Sequence, residues 1–223
     1  MPNRYLVFLG SSRTSTPPSP PRLGWRVAQA CKRLLGEAGA EAELIDPLDL
    51  DRGSVFKPHF AYRRGEMPDE LASLAERIEA ADGYVMVSPE YNHSMSPALA
   101  HLLNHFGSSL FSFKPSAIVT YSAGQWGGAR AAVTMRTFLS ELGCLPVSAM
   151  VQVPAAHQVL DEDGGFAEGA DETSWRSYFG RTFVQLTWWA TAAQQYRQVA
   201  DPFQRVQDFK RAPSQRNAPN ADG

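Results

Sequence analysis

Short apolar runs alternate with amphipathic helical segments along most of this chain, and most of the runs end in a small, polar loop. A continuous apolar run is typical of a strand that is covered on both faces of a sheet. Alternation of strands and helices predicts a parallel sheet with right-handed crossovers and with helices on both faces. The predicted strands cover residues 5–9, 41–45, 83–87 and 116–120, with a fifth inside 146–153.

The number of strands narrows the choice of α/β architecture. Five strands favour the flavodoxin-like, doubly wound order 2-1-3-4-5 over the six-stranded dinucleotide-binding order. In such a sheet, ligands bind at the carboxyl ends of the strands, where the strand order reverses, and here that point lies between the first and third strands. The predicted helices cover about 22–38, 68–81, 97–106, 128–142 and 173–198.

Composition indicates one globular domain followed by a tail. The chain has 223 residues, of which 43% are hydrophobic, and this suffices for one sizeable core. We expect residues 1–200 to form the domain and the polar, Pro- and Asn-rich residues 201–223 to be disordered. The net charge of −2 provides no basic field for nucleic acid, and no apolar run approaches the ~20 residues of a membrane helix.

The cysteines and the N-terminus indicate a cytoplasmic protein. Cys31 lies on the apolar stripe of a predicted helix, and Cys144 lies between Gly143 and Pro146. Because neither cysteine has CxxC spacing, buried reduced thiols are expected rather than a disulfide or a redox pair. The N-terminal apolar run has no small-residue cleavage site, so it is interpreted as a strand and not as a secretory signal.

Three polar loops follow the first, third and fourth strands and carry the main functional signal. Backbone N–H groups at a strand-to-helix turn, serine hydroxyls and a guanidinium suit the first loop to an anion such as phosphate. Turn residues fix the backbone of the second loop, and three glycines let the third approach a flat, polar-edged ring closely. Neither a P-loop nor a GxGxxG motif is present. The loops are Gly10-Ser11-Ser12-Arg13, Ser88-Pro89-Glu90-Tyr91-Asn92 and Ser122-Ala123-Gly124-Gln125-Trp126-Gly127-Gly128.

Several residues in and near these loops leave more than one interpretation open. Glu90 caps a helix, pairs with Arg130 or lies at a subunit contact, and proton transfer is its less favoured alternative. Trp126 is either a cover for a bound ring or a surface aromatic. The i, i+4 pair His101 and His105 has no third ligand, so no metal site is predicted. We interpret the tryptophans of the last helix as residues of the core or of a subunit interface: Trp175, Trp188 and Trp189.

The chain resembles the NADPH-dependent FMN reductase family in these loops and around them. The first loop matches the family's GSxR, and the segment from Ser88 to Pro97 matches SPEYNxSxP with the final proline one residue later. The segment that begins at Lys114 matches KPxxxxxxSxGxxGGxRAxxxLRxxLxxLG. The match covers about residues 4–155. The chain departs from the pattern at Met135, where Leu is usual, and at the Pro-rich residues 16–21, which look like an insertion.

The resemblance implies a flavodoxin-like fold, bound FMN and a set of residues that hold it. The start of the helix at Gly127-Gly128 would also favour the negative charge of a reduced flavin. For the phosphate, the assigned residues are Ser11, Arg13 and one of Ser15, Thr16 or Arg22. Those assigned to the ring and the ribityl chain are Pro89, Glu90, Tyr91 and Asn92, and those at or near the pyrimidine end are Ser122, Ala123, Gly124 and Gly127.

The same resemblance implies an enzyme that transfers electrons from NADPH or NADH through FMN to a small acceptor by a ping-pong mechanism. Acceptors in the family are often quinones, free flavin, azo dyes or metal oxyanions, and its members are commonly homodimers or homotetramers. FMN carries the chemistry, so no catalytic acid, base or nucleophile is required of the protein. Two alternatives are left open. One is a non-enzymatic electron carrier, against which the net charge of −2 argues mildly, and the other is a flavin-binding interaction module.

Overall fold

The protein forms a parallel sheet with helices on both faces. The computed structural model describes residues 2–14, 22–50, 56–63 and 65–205. The strands are β1 (Arg4–Leu9), β2 (Glu41–Ile45), β3 (Gly83–Pro89), β4 (Pro115–Tyr121), β5 (Leu145–Pro146) and β6 (Val151–Val153). The helices are α1 (Leu23–Glu37), α2 (Asp69–Ala80), α3 (Pro97–Asn104), α4 (Ser108–Phe111), α5 (Ala129–Glu141), α6 (Ala156–Val159), α7 (Glu172–Val199) and α8 (Pro202–Arg205).

The strand order of the sheet is β2-β1-β3-β4-β5, and every adjacent pair is parallel. This confirms the predicted flavodoxin-like order. Leu9 lies opposite Val87, and Tyr121 lies opposite Pro89 and Val153. The carboxyl ends of β1, β3, β4 and β6 therefore lie at one edge of the sheet, which we call the upper edge.

The fifth strand was predicted as one segment, and the structure divides it into two. β5 pairs with the start of β4, and β6 pairs with its end. Between them, backbone groups bond to side chains: Gln185 Oε1 accepts from the Ala149 N–H at 3.0 Å, and Arg136 and Arg181 donate to backbone carbonyls. The N–H groups of Leu145 and Val147 donate to the Lys114 and Ser116 carbonyls, so the nitrogen of Pro146 faces away from β4 and the ladder of β5 ends at Val147.

Two apolar layers hold the helices against the sheet. In β1, alternate residues face opposite layers, with Val7 in one and Phe8 in the other. The first layer contains apolar residues of α1, α6 and α7, and the second contains those of α2, α3, α4 and α5. The strands are therefore continuous apolar runs because both of their faces are covered.

The long helix α7 extends from a capped start to an anchored end. The Asp171 carboxylate caps it by accepting from the Ser174 N–H at 3.0 Å. Near its end, Gln194 and Arg197 donate to the Asp82 carboxylate, each at 3.1 Å. The predicted tail begins with α8, and residues 206–223 lie outside the described residues. No helix in the described ranges is both long and apolar enough to span a bilayer.

Both cysteines are buried and unbridged, as predicted. Burial raises the pKa of the Cys144 thiol to about 12, although a hydrogen bond with Ser116 opposes the shift. Burial also raises the pKa of Cys31. Neither thiol is therefore suited to act as a nucleophile near neutral pH.

Lys114 is a charged residue buried at the lower edge of the sheet, just before β4. Its side chain is 7% exposed, and Nζ donates to the carbonyls of Ile78, Glu79 and Leu110 at 2.8, 2.6 and 3.2 Å. Two of these carbonyls belong to the last turn of α2, where a cation interacts favourably with the helix dipole. Burial, reinforced by the nearby Arg197, lowers the pKa of Lys114 to about 8.

We expect Lys114 to make the free energy of unfolding increase with pH between about 8 and about 10. Its pKa is lower in the folded state, so the unfolded state binds more protons in this range and stability increases with pH. The free-energy advantage of the wild type over Lys114→Met should therefore grow by up to about 1.4 kcal/mol per pH unit. Urea unfolding across this range measures the slope, and Lys32→Met, at an exposed lysine of α1, is the control. Equal slopes for the wild type and Lys114→Met would contradict the assignment.

Candidate functional site

Gly10 places the start of the first loop against β3 and α3. Its N–H donates to the Val87 carbonyl at 2.7 Å, and the Ser96 hydroxyl donates to its carbonyl. A Cβ at this position would lie 2.5 Å from the Val87 oxygen and 3.0 Å from the Leu99 Cβ. Only glycine therefore fits where β1 approaches its neighbours this closely.

The first loop presents polar groups at the upper edge. Ser11 is half-buried, and Ser12, Arg13 and Thr14 are exposed. The Tyr121 hydroxyl, at the end of β4, hydrogen-bonds to the Ser11 side chain. Burial raises the pKa of Tyr121 despite that bond, so the phenol stays protonated near neutral pH. Sequence analysis did not identify Tyr121, because its link to Ser11 depends on the positions of two distant strands.

Of the three residues predicted to complete the phosphate site, the structure describes Arg22. Arg22 pairs with the Asp46 carboxylate, and its guanidinium lies 5.6 Å from the centre of the Trp25 ring. Ser15 and Thr16 lie outside the described residues. Arg22 is thus engaged elsewhere, which favours the two hydroxyl residues as predictions.

The second loop is a tight turn fixed at both ends. Tyr91 and Ser94 exchange two backbone hydrogen bonds of 2.9 Å, and Asn92 and His93 between them have φ values of 49° and 62°. Two successive residues with positive φ are typical of a type I′ turn, which favours Asn at its first central position. The Ser88 hydroxyl accepts from the Ser96 N–H at 2.9 Å and joins the loop to α3.

The Ser122 hydroxyl organises the third loop. It donates to the Gly124 carbonyl at 2.6 Å and accepts from the Gly127 N–H at 2.9 Å. The Gly124 carbonyl also accepts from the Ala155 N–H at 2.8 Å, which ties the loop to the segment after β6. A Cβ at Gly124 would meet no atom within 4 Å, so the backbone there is open to a ligand.

Gly127 has a different local role from Gly124. Its φ is 58°, and a Cβ there would lie 3.1 Å from the Pro154 nitrogen and 3.2 Å from the Val153 nitrogen. Gly127 is therefore required where the third loop passes the end of β6. Its assignment to the cofactor stays a prediction.

Glu90 joins the second loop to the start of α5. Its carboxylate accepts from the Arg130 N–H at 3.1 Å, the Ala131 N–H at 3.3 Å and the Arg130 Nε at 2.6 Å. Two of the interpretations left open, a helix cap and a pair with Arg130, are thus both confirmed. Desolvation alone would raise the pKa of Glu90, but these hydrogen bonds outweigh it and lower the pKa.

This carboxylate also changes the expectation for the amide end of α5. The sequence suggests that these amides favour the negative charge of a reduced flavin. In the structure, the N–H groups of Arg130 and Ala131 instead donate to Glu90. The helix dipole is thus complemented from within the chain.

The structure brings most of the predicted site residues to the upper edge. Three hydrogen bonds join the loops to one another and to neighbouring elements: Ser96 to Gly10, Tyr121 to Ser11 and Arg130 to Glu90. Tyr91 and Trp126 are 44% and 64% exposed. The remaining predicted residues described at this edge are Arg13, Pro89, Asn92, Ser122, Ala123 and Gly124, and Ser15 is outside the described residues.

The described residues contain no group of three or more His, Cys, Asp or Glu side chains that could hold a metal ion. The rings of His101 and His105 are 4.8 Å apart. The His105 Nδ1 lies 3.1 Å from the Lys57 carbonyl oxygen, which places that histidine against the segment before α2.

The donors at the upper edge fit FMN. A phosphate needs several N–H or O–H donors and positive charge, and Ser11, Ser12 and Arg13 provide them at one end. A flavin ring needs an open backbone with N–H and C=O groups, and Gly124 provides that at the other end. The second and third loops also carry exposed aromatic rings, at Tyr91 and Trp126.

Comparison with known proteins agrees with this fit. The family model for NADPH-dependent FMN reductase matches residues 3–158. The chain is 31% identical over 130 residues to the NADPH azoreductase of Bacillus sp. (strain OY1-2), covering 58% of this chain and 69% of that protein. It is 34% identical over 101 residues to the NAD(P)H-dependent FMN reductase PA1204 of Pseudomonas aeruginosa, covering 44% of this chain and 55% of that protein.

A shorter match and a structural likeness extend the comparison. The chain is 39% identical over 75 residues to the quinone reductase of Escherichia coli (strain K12), covering 32% of this chain and 40% of that protein. It thus spans from 40% to 69% of the length of these three relatives. Among solved structures, FerB, a flavoenzyme NAD(P)H:(acceptor) oxidoreductase from Paracoccus denitrificans, has a TM-score of 0.64 at 20% identity. The match covers 86% of this chain and 98% of the FerB chain, and it supports the fold.

The family model covers more than half of the chain, and its boundaries enclose all three loops. The resemblance in the sequence is therefore confirmed. The chain belongs to the NADPH-dependent FMN reductase family, as an oxidoreductase that uses FMN with NAD(P)H as its electron donor.

Proposed function

We propose that this protein oxidises NAD(P)H and passes the electrons through FMN to a small organic or inorganic acceptor by a ping-pong mechanism. The observation that carries the proposal is the convergence of the three loops at the upper edge, where Glu90 links the second loop to α5. FMN, when bound, supplies the hydride and electron chemistry. The chain's own residues bind it, orient it and leave one side of the ring accessible.

At the phosphate end, Ser11 and Arg13 hold the anion, and Ser15 completes the site. Tyr121 supports this end indirectly, because its protonated hydroxyl bonds to the Ser11 side chain and positions it. Gly10 fixes the start of the loop against the centre of the sheet. The phosphate end is thus attached to the inner strands of the sheet.

At the ring end, backbone groups of Pro89, Tyr91 and Asn92 line one side, and those of Ser122, Ala123 and Gly124 meet the pyrimidine edge. Glu90 acts as a positioning residue, because its carboxylate already accepts three hydrogen bonds and its pKa is lowered. A carboxylate held in this way is poorly suited to proton transfer near neutral pH.

Quinones, free flavin, azo dyes and metal oxyanions are the proposed acceptor classes, and the names of the azoreductase and quinone reductase relatives favour the aromatic ones. We further propose a cytoplasmic homodimer or homotetramer, with residues 1–200 as the flavin-binding unit. That unit extends past the family match because α7 packs Phe179 and Leu186 into the first apolar layer.

The proposal is tested by reconstitution with FMN. Loaded protein should be yellow, bleach with NADPH in the absence of oxygen and regain colour on addition of a quinone. Initial rates measured against NADPH concentration, at several fixed quinone concentrations, should give parallel double-reciprocal lines. Protein that binds no FMN would contradict the proposal, and bound FMN that NAD(P)H reduces only through a partner reductase would favour an electron carrier instead.

We expect Arg13→Gln to weaken FMN binding by about 10- to 100-fold, because a hydrogen bond between charged groups contributes about 1.5–3 kcal/mol. Riboflavin lacks the phosphate, so its affinity should not change in the variant. Fluorescence titration of apoprotein with each flavin measures both affinities. An equal loss for the two flavins would place Arg13 away from the phosphate.

A further inference from the structure

A groove of about 540 Å³ opens on the outer side of the third loop. Its walls come from the third loop, the end of β6 and the first turns of α7. Pockets for small ligands commonly measure about 300–1,000 Å³. The groove is therefore large enough for a fused aromatic ring system. The side chains that matter to the argument are Gln125, Trp126, Gln152, Trp175 and Tyr178.

The aromatic walls of the groove are firmly supported. The rings of Trp175 and Tyr178 lie 5.7 Å apart at 80°, and Trp175 also lies 6.3 Å from Phe179, which is buried in the core. The Tyr178 hydroxyl accepts from the Gln152 N–H at 3.2 Å. Trp126, which also lines the groove, is 64% exposed, and the Arg130 guanidinium lies 5.8 Å from the centre of its ring. Two fixed rings and one accessible ring provide stacking surfaces for a flat ligand.

The polar character of the groove favours an anionic ligand. No Asp or Glu lines it, and the amides of Gln125 and Gln152 can both donate and accept hydrogen bonds. The Arg181 guanidinium lies over the Tyr178 ring, 4.9 Å from its centre, and donates to the Met150 carbonyl at 3.0 Å.

Arg181 differs from the other two arginines near this surface. The Arg130 guanidinium pairs with Glu90, and that of Arg176 pairs with Glu37 and Glu172. In the described part of the chain, no carboxylate forms an ion pair with Arg181. Arg181 does not itself line the groove, but it lies against Tyr178, which does, so its positive charge is next to that side of the groove.

The groove and the proposed ring site share the third loop as a common wall. Gln125 and Trp126 line the groove. They directly follow Gly124, whose backbone is open at the proposed ring site. The bond from the Ala155 N–H to the Gly124 carbonyl holds this wall to the segment that follows β6. A ligand in the groove would thus contact the same loop that is proposed to hold the flavin.

We propose that this groove binds a planar aromatic group that carries an anionic substituent. The ring lies between Trp126 and the Trp175–Tyr178 pair, and the anion lies toward Arg181. The identity of the ligand rests on the proposed function, since two participants in that reaction have this chemistry. They are the adenosine 2′-phosphate end of NADPH and an aromatic acceptor that bears a sulfonate or carboxylate.

The test is calorimetric binding to the FMN-loaded protein with two probes, adenosine 2′-monophosphate and anthraquinone-2-sulfonate. Arg181→Gln and Trp175→Leu remove the anion partner and one stacking surface. Their controls are Arg4→Gln, at an exposed arginine of the lower edge, and Trp188→Leu, at a 62% exposed tryptophan of α7. We expect both groove variants to weaken binding of one probe about 10-fold, the effect of roughly 1.4 kcal/mol, while the controls change it little.

The probe that responds identifies the source of the ligand. A response of adenosine 2′-monophosphate assigns the groove to the donor, and a response of anthraquinone-2-sulfonate assigns it to the acceptor. The inference is overturned if neither probe binds, or if groove and control variants bind both probes equally. Reduction of p-benzoquinone, which has no anionic group, is measured in parallel. Absence of that activity in the wild-type protein would instead count against the proposed function.

Discussion

Gly10→Ala is expected to destabilise the protein by roughly 3 kcal/mol, at the upper end of the usual cost of overpacking. The new methyl group would lie 2.5 Å from the Val87 oxygen and 3.0 Å from the Leu99 Cβ. The Val87 oxygen belongs to the central strand β3, so it cannot move without disturbing the pairing of the sheet. Urea unfolding of the apoprotein measures the loss. FMN titration should show weaker binding as well, because the first loop begins at this residue.

A matched control separates this effect from a general effect of replacing glycine. Gly36 lies exposed near the end of α1, and a Cβ there would meet no atom within 4 Å. Gly36→Ala should therefore leave the protein unchanged or more stable by about 0.4–1 kcal/mol, since it reduces the freedom of the unfolded chain. If the two variants unfold at the same urea concentration, the close approach at Gly10 is not the constraint that the geometry indicates.

Glu90→Gln is expected to cost about 1.5–3 kcal/mol of stability and to weaken FMN binding about 10-fold. The carboxylate accepts three hydrogen bonds from Arg130 and Ala131 and is the charged link between the second loop and α5. An amide has one acceptor oxygen and places its NH2 group either against the two backbone N–H donors or against the Arg130 Nε, so the charge and at least one of the three hydrogen bonds are lost. Thermal or urea unfolding measures the first effect, and flavin fluorescence measures the second.

The pH dependence distinguishes this link from a packing effect. The pKa of Glu90 is lowered in the folded protein, so its contribution is present above the unfolded pKa of about 4.3 and disappears as pH falls through the folded value. The wild type and Glu90→Gln should thus converge in stability below about pH 4. Glu43→Gln, at the exposed ion pair with Arg77, is the control and should cost less than about 1 kcal/mol. A stability difference for Glu90→Gln that persists unchanged in acid would contradict the role of its charge.

Much of the fold was predictable because its signals are local. Apolar runs predicted the strands, and the helix predicted to begin at residue 97 is α3, where the Ser96 hydroxyl accepts from the Leu99 N–H at 3.1 Å. The pairing of Glu90 with Arg130 could also be predicted from the sequence, because both residues lie at the carboxyl side of neighbouring strands. These features follow from periodicity, capping and strand order alone.

The features that were missed depend on contacts between distant parts of the chain. The bond from Ser96 to Gly10 and the link from Tyr121 to Ser11 require the register of β1, β3 and β4. The burial of Lys114 left one signal, a lone charge between Phe113 and Pro115 at the start of an apolar strand, but its three carbonyl partners belong to other elements. The division of the fifth strand depends on side chains that α5 and α7 contribute.

The two outer strands of the sheet have a consequence for how copies of this protein can meet. At one margin, the amide groups between β5 and β6 are occupied by side chains, so an incoming strand finds no regular ladder to join. At the other margin, Glu41 and Glu43 of β2 face solvent beside Arg4 and Arg77, and such charges discourage edge-to-edge association. Self-association is therefore expected to proceed through helical surfaces, and concentrated solutions should resist fibrillar aggregation.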